Sequence, residues 1–300
     1  MNRTAPFRAL CLITLVSLIA PFAACGSKRT IDADDARKDS ALLAYRFTPG
    51  RSLSYRMLVS QTYEVRNVEG GPTRLESRVD MDLTSVQQVL GATAEGAQLR
   101  VSFPKVSVSM RGPRADSAGH LENVVRQTEF VAQVDSRGKV IQAAPTDAAP
   151  ANVKTLYPAL GQAIAGLGAV FPGEPKAPGA RWQDTQPLNL QMPGGDIMKG
   201  SLISNYGFNR WVRVNGRPAA EIGVQLTLSM VPGTMRVPME GKGSGAGYLY
   251  LSTEEGILIA SDVTFVSKGV YNLGGGQYNF AGGAVLEQTV EHRVTTDLAP

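Results

Sequence analysis

Few side chains in this 300-residue chain have the types and spacing that catalysis would need. The two histidines, His120 and His292, lie far apart and lack a partner at metal-ligand spacing, so no zinc site is predicted. Either histidine could serve a Ser-His-Asp triad, because geometry rather than chain order defines one. However, no Gly-x-Ser-x-Gly motif is present to place a nucleophilic serine. We therefore predict a protein that is not an enzyme and that needs no metal or cofactor.

Two further features look like catalytic motifs but fail closer tests. Asp80 and Asp82 share one face of a strand-like segment whose other face is apolar, so both should point outward. Glycoside hydrolysis instead needs two acids placed across a cleft. The glycine-rich run 241–247 lacks the Gly-Lys-Ser/Thr ending of a phosphate loop and precedes a strand rather than a helix. We interpret this run as a flexible or tightly bent strand entrance.

The thiol with the most specific surroundings is that of Cys25. Two arginines open the chain, residues 9–19 are nearly all apolar, and small residues directly precede the cysteine. The apolar run is shorter than the roughly 20 residues that a membrane-spanning helix needs. This pattern predicts a signal peptide over residues 1–24 that is cleaved after Ala24.

The segment Phe22-Ala23-Ala24-Cys25 resembles the lipobox of bacterial lipoproteins. The resemblance implies that Cys25 carries a diacylglyceryl group, becomes the first residue after cleavage, and is then acylated, for example with palmitate. Gly26 stands where an aspartate would imply retention in the inner membrane. The resemblance therefore implies the cell outer membrane if the source has two membranes. The alternative is an ordinary secretory signal that happens to end near a cysteine.

Bulk composition limits what the exported part can do. Removing residues 1–24 leaves 276 residues with 28 basic and 26 acidic side chains, since two of the 30 lysines and arginines leave with the signal peptide. A balance of +2 without a basic stripe argues against a nucleic-acid partner. Cys11 would be removed and Cys25 modified, so no disulfide is expected. Stability would come from core burial, which 43% apolar residues make feasible.

The exported part divides into a short polar segment and a long β-rich one. Residues 25–44 are charged and lack a sustained apolar period, which predicts a flexible tether. From 45 to 298 we predict a single β-rich domain. Segments such as 55–63 and 222–230 alternate apolar and polar residues with period two. Such alternation is typical of an antiparallel sheet with one buried and one wet face.

Interruptions of this alternation predict turns and bends. Over residues 99–110 the apolar positions change parity at Pro104-Lys105, where one extra residue in a β-bulge would restore the apolar face. Turn residues separate strand-like runs at 67–72, 94–96, 134–140, 215–216 and 274–276. The predicted fold class is mainly β: a long-stranded, strongly curved, half-barrel-like antiparallel sheet with one covering α-helix.

The covering helix is predicted at 151–168, where apolar residues recur every three or four positions. A membrane-surface helix is the alternative, but basic flanks are sparse. The helix would join two similar halves, about 45–145 and 172–298. Each half opens with Pro-Gly and an aromatic residue and contains a turn with a late glycine, near Gly138 and Gly256.

Aromatic side chains are concentrated in the C-terminal half. Trp182, Trp211, Tyr248 and Tyr250 are candidates for lining a pocket that binds an acyl chain or a hydrophobic peptide. They are equally ordinary residues of strands and cores. The position of each side chain relative to the buried face decides between the two interpretations.

The lipidated β pattern resembles the half-barrel carriers and receptors of lipoprotein transport. The openings Pro49-Gly50 and Pro178-Gly179, each followed by an aromatic residue, also resemble a family of bacterial lipoproteins of unknown function. These resemblances imply a non-enzymatic envelope lipoprotein, held to the bilayer through acylated Cys25, whose concave face binds an apolar ligand such as an acyl chain. The alternative is a structural or assembly lipoprotein with a filled core and an envelope protein as partner.

Overall fold

The computed structural model describes residues 29–34, 36–67, 74–112, 115–147, 149–150, 169–191, 197–232, 239–272 and 285–299. The predicted signal peptide, the acylation site at Cys25 with cleavage after Ala24, and the predicted helix at 151–168 lie outside these residues. Within them, the structure contains no helix long and apolar enough to cross a membrane.

Long antiparallel strands dominate the described residues. Their bounds are β1 Ile31–Ala33, β2 Ala41–Leu42, β3 Ser52–Asn67, β4 Arg74–Ala92, β5 Gly96–Arg111, β6 Glu129–Asp135, β7 Val140–Pro145, β8 Pro175–Lys176, β9 Arg181–Gln191, β10 Ile197–Val214, β11 Arg217–Pro232, β12 Met239–Ser252, β13 Ile257–Asn272 and β14 Val285–Leu298. Twelve of these strands form one sheet in the order β1-β10-β11-β12-β13-β14-β3-β4-β5-β6-β7, with β9 also beside β10. The predicted mainly β, antiparallel fold is confirmed.

The period-two pattern of the sequence sets the two faces of this sheet. On β3, the alternate residues Tyr55, Met57, Val59, Gln61 and Tyr63 are all at most 7% exposed. The residues between them, such as Arg56, lie on the other face and are accessible to solvent. Successive side chains of a strand point to opposite faces, so burial of one set exposes the other. We call the two surfaces the apolar face and the polar face.

A β-bulge keeps β5 in phase with this pattern. Thr84 of β4 pairs with Lys105, but Val86 pairs with Ser102, so Phe103 and Pro104 together oppose one residue of β4. The extra residue allows Phe103 and Val106, which differ in parity, to be buried on the same face. The bulge predicted from Pro104-Lys105 is confirmed.

Two tight turns have the geometries that their residue types favour. Asn215 and Gly216, between β10 and β11, both have positive φ angles, 50° and 79°. This is the geometry of the two-residue turns that suit twisted hairpins. Between β6 and β7, the carboxylate of Asp135 accepts hydrogen bonds from the backbone N–H groups of Arg137 and Lys139. Both turns were predicted.

Contacts between distant strands show that the sheet bends. Nζ of Lys139, which follows β6, lies 3.7 Å from Oδ1 of Asp184 on β9. In the same turn, Nε of Arg137 donates to the carbonyl of Phe171 at 2.9 Å. Eight strand spacings separate β6 from β10, the neighbour of β9, or about 38 Å in a flat sheet. Since Asp184 lies on the apolar face, the sheet bends around that face.

One α-helix is present among the described residues. Helix α1, Ala118–Arg126, follows a short 3₁₀ turn at Ala115–Ser117 and packs on β5. Its Leu121 and Val125 join the apolar cluster of the N-terminal half. His120 lies on the exposed side of this helix.

Residues 29–34 and 36–44, which lie within the predicted tether over 25–44, include contacts with the sheet. Strand β1 pairs with the end of β10, Ile31 with Val214. Nε of Arg29 donates to the carboxylate of Asp297 at 2.9 Å. Leu43 is fully buried. Although this segment reads as polar, its few apolar and cationic side chains find partners far away in the chain.

Residues 41–47 and 169–176, which we call the crossing segments, connect the two halves at one end of the sheet. They pair with each other through β2 and β8. The N–H of Tyr45 donates to Ser136 of the first half, and the N–H of Arg46 donates to Gly256 of the second. Both acceptors lie in the turns whose late glycines were predicted to correspond. The internal duplication itself stays a prediction.

Candidate apolar binding face

The apolar face is continuous across eight neighbouring strands. One row of paired residues runs through Tyr206, Val224, Gly247, Val263, Val294, Val59, Met81 and Val108. Six of these side chains, all except Gly247 and Val108, are at most 8% exposed. Burial of each large apolar side chain contributes about 1.5–3 kcal/mol. Burial of this face therefore contributes to the stability of the fold, and we consider it as the candidate apolar binding face.

On β12 the apolar face is formed by alternate glycines, which the ring of Phe265 from β13 covers. Gly243, Gly245 and Gly247 occupy positions that elsewhere carry large side chains, and Leu249 is the next residue of the same parity after them. A Cβ at Gly243 would come within 2.4 Å of the Phe265 ring, and one at Gly245 within 2.8 Å. The ring of Phe265 thus lies over the glycines. The run 241–247 forms the middle of a strand rather than the predicted bent entrance.

Two of the four predicted aromatic residues lie on the apolar face. Trp182 stacks on Tyr206 with ring centroids 5.4 Å apart, and its Nε1 donates to the carbonyl of Val170 at 2.9 Å. Trp211 is 1% exposed, and its Nε1 donates to the carbonyl of Asp39 at 3.1 Å. The guanidinium of Arg37 lies 3.6 Å from the Trp211 ring centroid. The chain's own N-terminal and crossing segments therefore cover both indoles.

The other two predicted aromatic residues lie on the polar face. Tyr250 is 5% exposed, beneath the guanidinium of Arg29 at 5.6 Å from its ring centroid. Burial raises the pKa of Tyr250 to about 12. Tyr248 is 48% exposed. The four residues are thus divided between the two faces of the sheet, with both tryptophans on the apolar face and both tyrosines on the polar face.

A buried polar group on the apolar face was missed by the sequence analysis. Asp184, Gln186, Ser204 and Tyr206 lie on β9 and β10, each at most 9% exposed. The N–H of Val170 donates to Oη of Tyr206 at 3.3 Å. Burial raises the pKa of Tyr206. The alternation on β9 could have revealed the group, because Asp184 and Gln186 have the same parity as Trp182.

Two atoms of this group lack partners. Within the described part of the chain, neither Oδ2 of Asp184 nor Nε2 of Gln186 has a hydrogen-bond partner. An unsatisfied buried polar atom costs about 1–3 kcal/mol. One atom is an acceptor and the other a donor, and they sit two residues apart on one strand face. A ligand that offers a hydroxyl group would match both.

The polar face carries a groove of about 680 Å³ across β14, β3, β4 and β5. Its wall contains Asp80 and Asp82, which point outward as predicted. Asp80 accepts hydrogen bonds from Arg78 and Ser60, and the bond from Arg78 holds the pKa of this carboxyl below its usual value. Asp82 is paired with Arg56. These carboxylates are engaged in surface ion pairs, which does not fit a general acid.

Metal chemistry finds no support in the part of the chain that the structure describes. No group of three or more His, Cys, Asp or Glu residues is placed to hold an ion there. His120 is exposed on α1. The backbone of His292 pairs with Gln61 and Phe265, whereas its side chain lies outside the described residues.

No family model matches the chain, and no match was found among curated proteins. The chain is similar to lipovitellin, in a structure described as "lipid-protein interactions in lipovitellin", at 12% identity and a TM-score of 0.42 over 85% of this chain and 26% of that one. A BenF-like porin from Pseudomonas fluorescens Pf-5 aligns at 8% identity and a TM-score of 0.17, over 82% of this chain and 99% of that one. The chain thus spans about a quarter of the lipovitellin chain.

Proposed function

We propose that this protein is a non-enzymatic lipoprotein of the cell envelope that binds an acyl chain on the apolar face of its bent sheet. The observation that carries the proposal is the continuity of that face across eight strands, on the inner side of the bend. The lipobox-like segment ending at Cys25 supports membrane attachment, and the outer membrane follows if the source has two membranes.

The buried polar group refines the chemistry of the ligand. An acyl chain would lie along the valines and Met81, while the unpartnered atoms of Asp184 and Gln186 would hold a hydroxyl-bearing head. Such an amphiphile would relieve the desolvation cost of both atoms. The ligand class that fits best is therefore a neutral, hydroxylated acyl lipid.

Ligand binding can be tested with a matched pair of variants. Gln186→Leu removes the inward donor, whereas Gln225→Leu makes the same change at an exposed position of β11 on the polar face. We expect Gln186→Leu to weaken uptake of a fluorescent monoacylglycerol about tenfold, since a hydrogen bond contributes about 1 kcal/mol and sometimes more. Gln225→Leu should bind like the unchanged protein. Equal affinity of all three proteins would contradict the assignment of the polar group.

Attachment is tested separately by Cys25→Ser. Without the thiol no diacylglyceryl group can be added, so we expect the protein to move from the membrane fraction to the soluble fraction. Intact mass of the unchanged protein should show acyl chains on its first residue. Membrane retention of the variant after a high-salt wash would rule out this anchor.

A structural or assembly role is the second candidate. It is favoured by the way the chain fills its own interior at one end: Leu43 is fully buried, and Arg37 covers Trp211. This role predicts that purified protein carries no lipid and that crosslinking in intact envelopes captures the same partner reproducibly. Lipid found in stoichiometric amount would favour acyl binding instead.

A further inference from the structure

We propose that the polar face around Arg29, with Tyr248 and Ile31, lies directly against the phospholipid bilayer, so that the domain is docked on the membrane and not held away from it on a stalk. The inference rests on the proposed acylation of Cys25. It goes further by assigning the surface that faces the lipid.

Arg29 fixes the start of the described chain to the sheet. Arg29 is bound on three sides: its guanidinium donates to the carboxylate of Asp297, and to the carbonyls of Ser261 and Thr296. The Arg29 and Asp297 side chains are only 9% and 15% exposed. Next to it, the N–H of Thr30 donates to Oδ1 of Asn215 at 3.1 Å. Arg29 is therefore fixed to the sheet.

The proposed acylation site at Cys25 is close to Arg29 in the chain. Cys25 precedes Arg29 by four residues, which span at most about 14 Å when fully extended. A diacylglyceryl group on Cys25 has its glycerol at the membrane interface. The surface around Arg29 must then lie within about that distance of the interface. A predicted tether of twenty residues would have allowed about five times as much.

The surface around Arg29 combines exposed tyrosine and isoleucine side chains with paired charges. Tyr248 lies two residues from Tyr250 on the same strand face, about 7 Å away, and its ring is 48% exposed. Ile31 is 38% exposed, two residues after Arg29. Nearby charges on this face are paired, as in Arg210 with Glu221 and Arg293 with Asp262. An exposed tyrosine among neutralised charges is suited to the interface between headgroups and acyl chains.

The experiment uses the sequence's own lack of free thiols. After cleavage, the acylated Cys25 is the only cysteine, so an introduced cysteine can be labelled selectively. We would label Tyr248→Cys and the control Gln133→Cys with bimane in the acylated protein. Gln133 is exposed on β6, six strand spacings from β12. Both proteins are reconstituted into phosphatidylcholine–phosphatidylglycerol vesicles that contain a nitroxide-labelled lipid.

We expect severalfold stronger quenching of the label at 248 than of the label at 133. Ile31→Cys, labelled in the same way, provides a second site on the docked surface if Tyr248→Cys does not fold, as judged by circular dichroism and thermal unfolding. Equal quenching at 133 and at the folded docked-surface site would overturn the proposal. Intact mass is measured first. A protein without acyl chains would refute the proposed anchor at Cys25, whereas an acylated protein with equal quenching at both sites would refute only the docked surface.

Discussion

Single residues decide whether the crossing segments can close one end of the sheet. Gly138 has a φ of +92°, and a Cβ there would come within 2.2 Å of the Tyr45 ring and 2.5 Å of the carbonyl oxygen of Ala169. Gly179 has nearly the same φ, +93°, but no atom within 4 Å of such a Cβ. Substitutions at the two glycines therefore distinguish the cost of backbone strain from the cost of a close contact.

We predict that Gly138→Ala lowers the free energy of unfolding by about 3 kcal/mol or more, whereas Gly179→Ala costs about 1 kcal/mol. Both variants introduce the strain of a positive φ, but only Gly138→Ala displaces the crossing segments. Urea unfolding monitored by tryptophan fluorescence measures the difference. Equal losses in the two variants would mean that the contact with Tyr45 is not tight.

Glu255 is a second residue with a defined effect, because it joins the turn between β12 and β13 to Arg51 and to Arg217 at the start of β11. Burial raises the pKa of this carboxyl, but hydrogen bonds from the two guanidinium groups outweigh burial and hold it below its ordinary value of 4.5. A depressed pKa contributes stability above pH 4.5 that is lost as the pH falls through the pKa of the folded state.

Glu255→Gln should therefore lower the unfolding midpoint at pH 7, and the difference should become smaller at about pH 3, as the pH falls towards the lowered pKa of the native carboxyl. The expected loss is small, up to about 1 kcal/mol, because the ion pairs are partly exposed. Thermal unfolding at both pH values tests this, with Glu254→Gln at the neighbouring exposed position as control. A pH-independent difference would show that charge is not the cause.

At the scale of elements, the alternation in the sequence was sufficient to predict β3 and the bulge in β5. The buried set from Tyr55 to Tyr63 follows from period two alone. Helix α1 was missed because it is short and contains Gly119 and Asn123, which have low helix propensity, so packing of Leu121 and Val125 determines it. Tyr248 and Tyr250 lie on the opposite face of the sheet from the two tryptophans. The sequence alone could not show this, because the face of each residue follows from how the strands pair.

Deleting Pro104 tests the bulge. Without the extra residue only Lys105 separates Phe103 from Val106, so a regular strand keeps both side chains on the apolar face, and Thr84 can still pair with Lys105. We expect the deletion to change the free energy of unfolding by less than about 1 kcal/mol, and failure to fold would contradict this assignment of the extra residue. Pro104→Ala keeps the residue count, and the exposed side chain makes no essential contact, so this control should change stability by less than about 1 kcal/mol.

At the scale of the whole molecule, the order of residues 29–47 depends on contacts that no local pattern reveals. Arg29 and Asp297 are 268 positions apart in the chain. A charged stretch without apolar period predicts a tether, and only the bent sheet brings together the partners that fix it. The same limit applies to the buried polar group, where Lys139 meets Asp184 only because the sheet bends.

Hydrogen exchange distinguishes a packed segment from a tether. The N–H groups of Leu43, Tyr45 and Arg46 donate to Glu174, Ser136 and Gly256. We expect peptides that cover residues 42–47 to exchange as slowly as peptides from β3. Exchange within seconds, as in an unstructured tether, would contradict the packing of the crossing segments.

For the whole molecule, we propose that the inner, apolar face of the sheet binds an acyl lipid. Native mass spectrometry of the mature Cys25→Ser protein, purified without added detergent, tests this most directly because no covalent lipid remains to obscure the result. We predict a folded protein that carries one acyl lipid, which is released on denaturation and identified in the extract. A folded protein that has the mass of the polypeptide alone, and that takes up no added monoacylglycerol, would contradict the account.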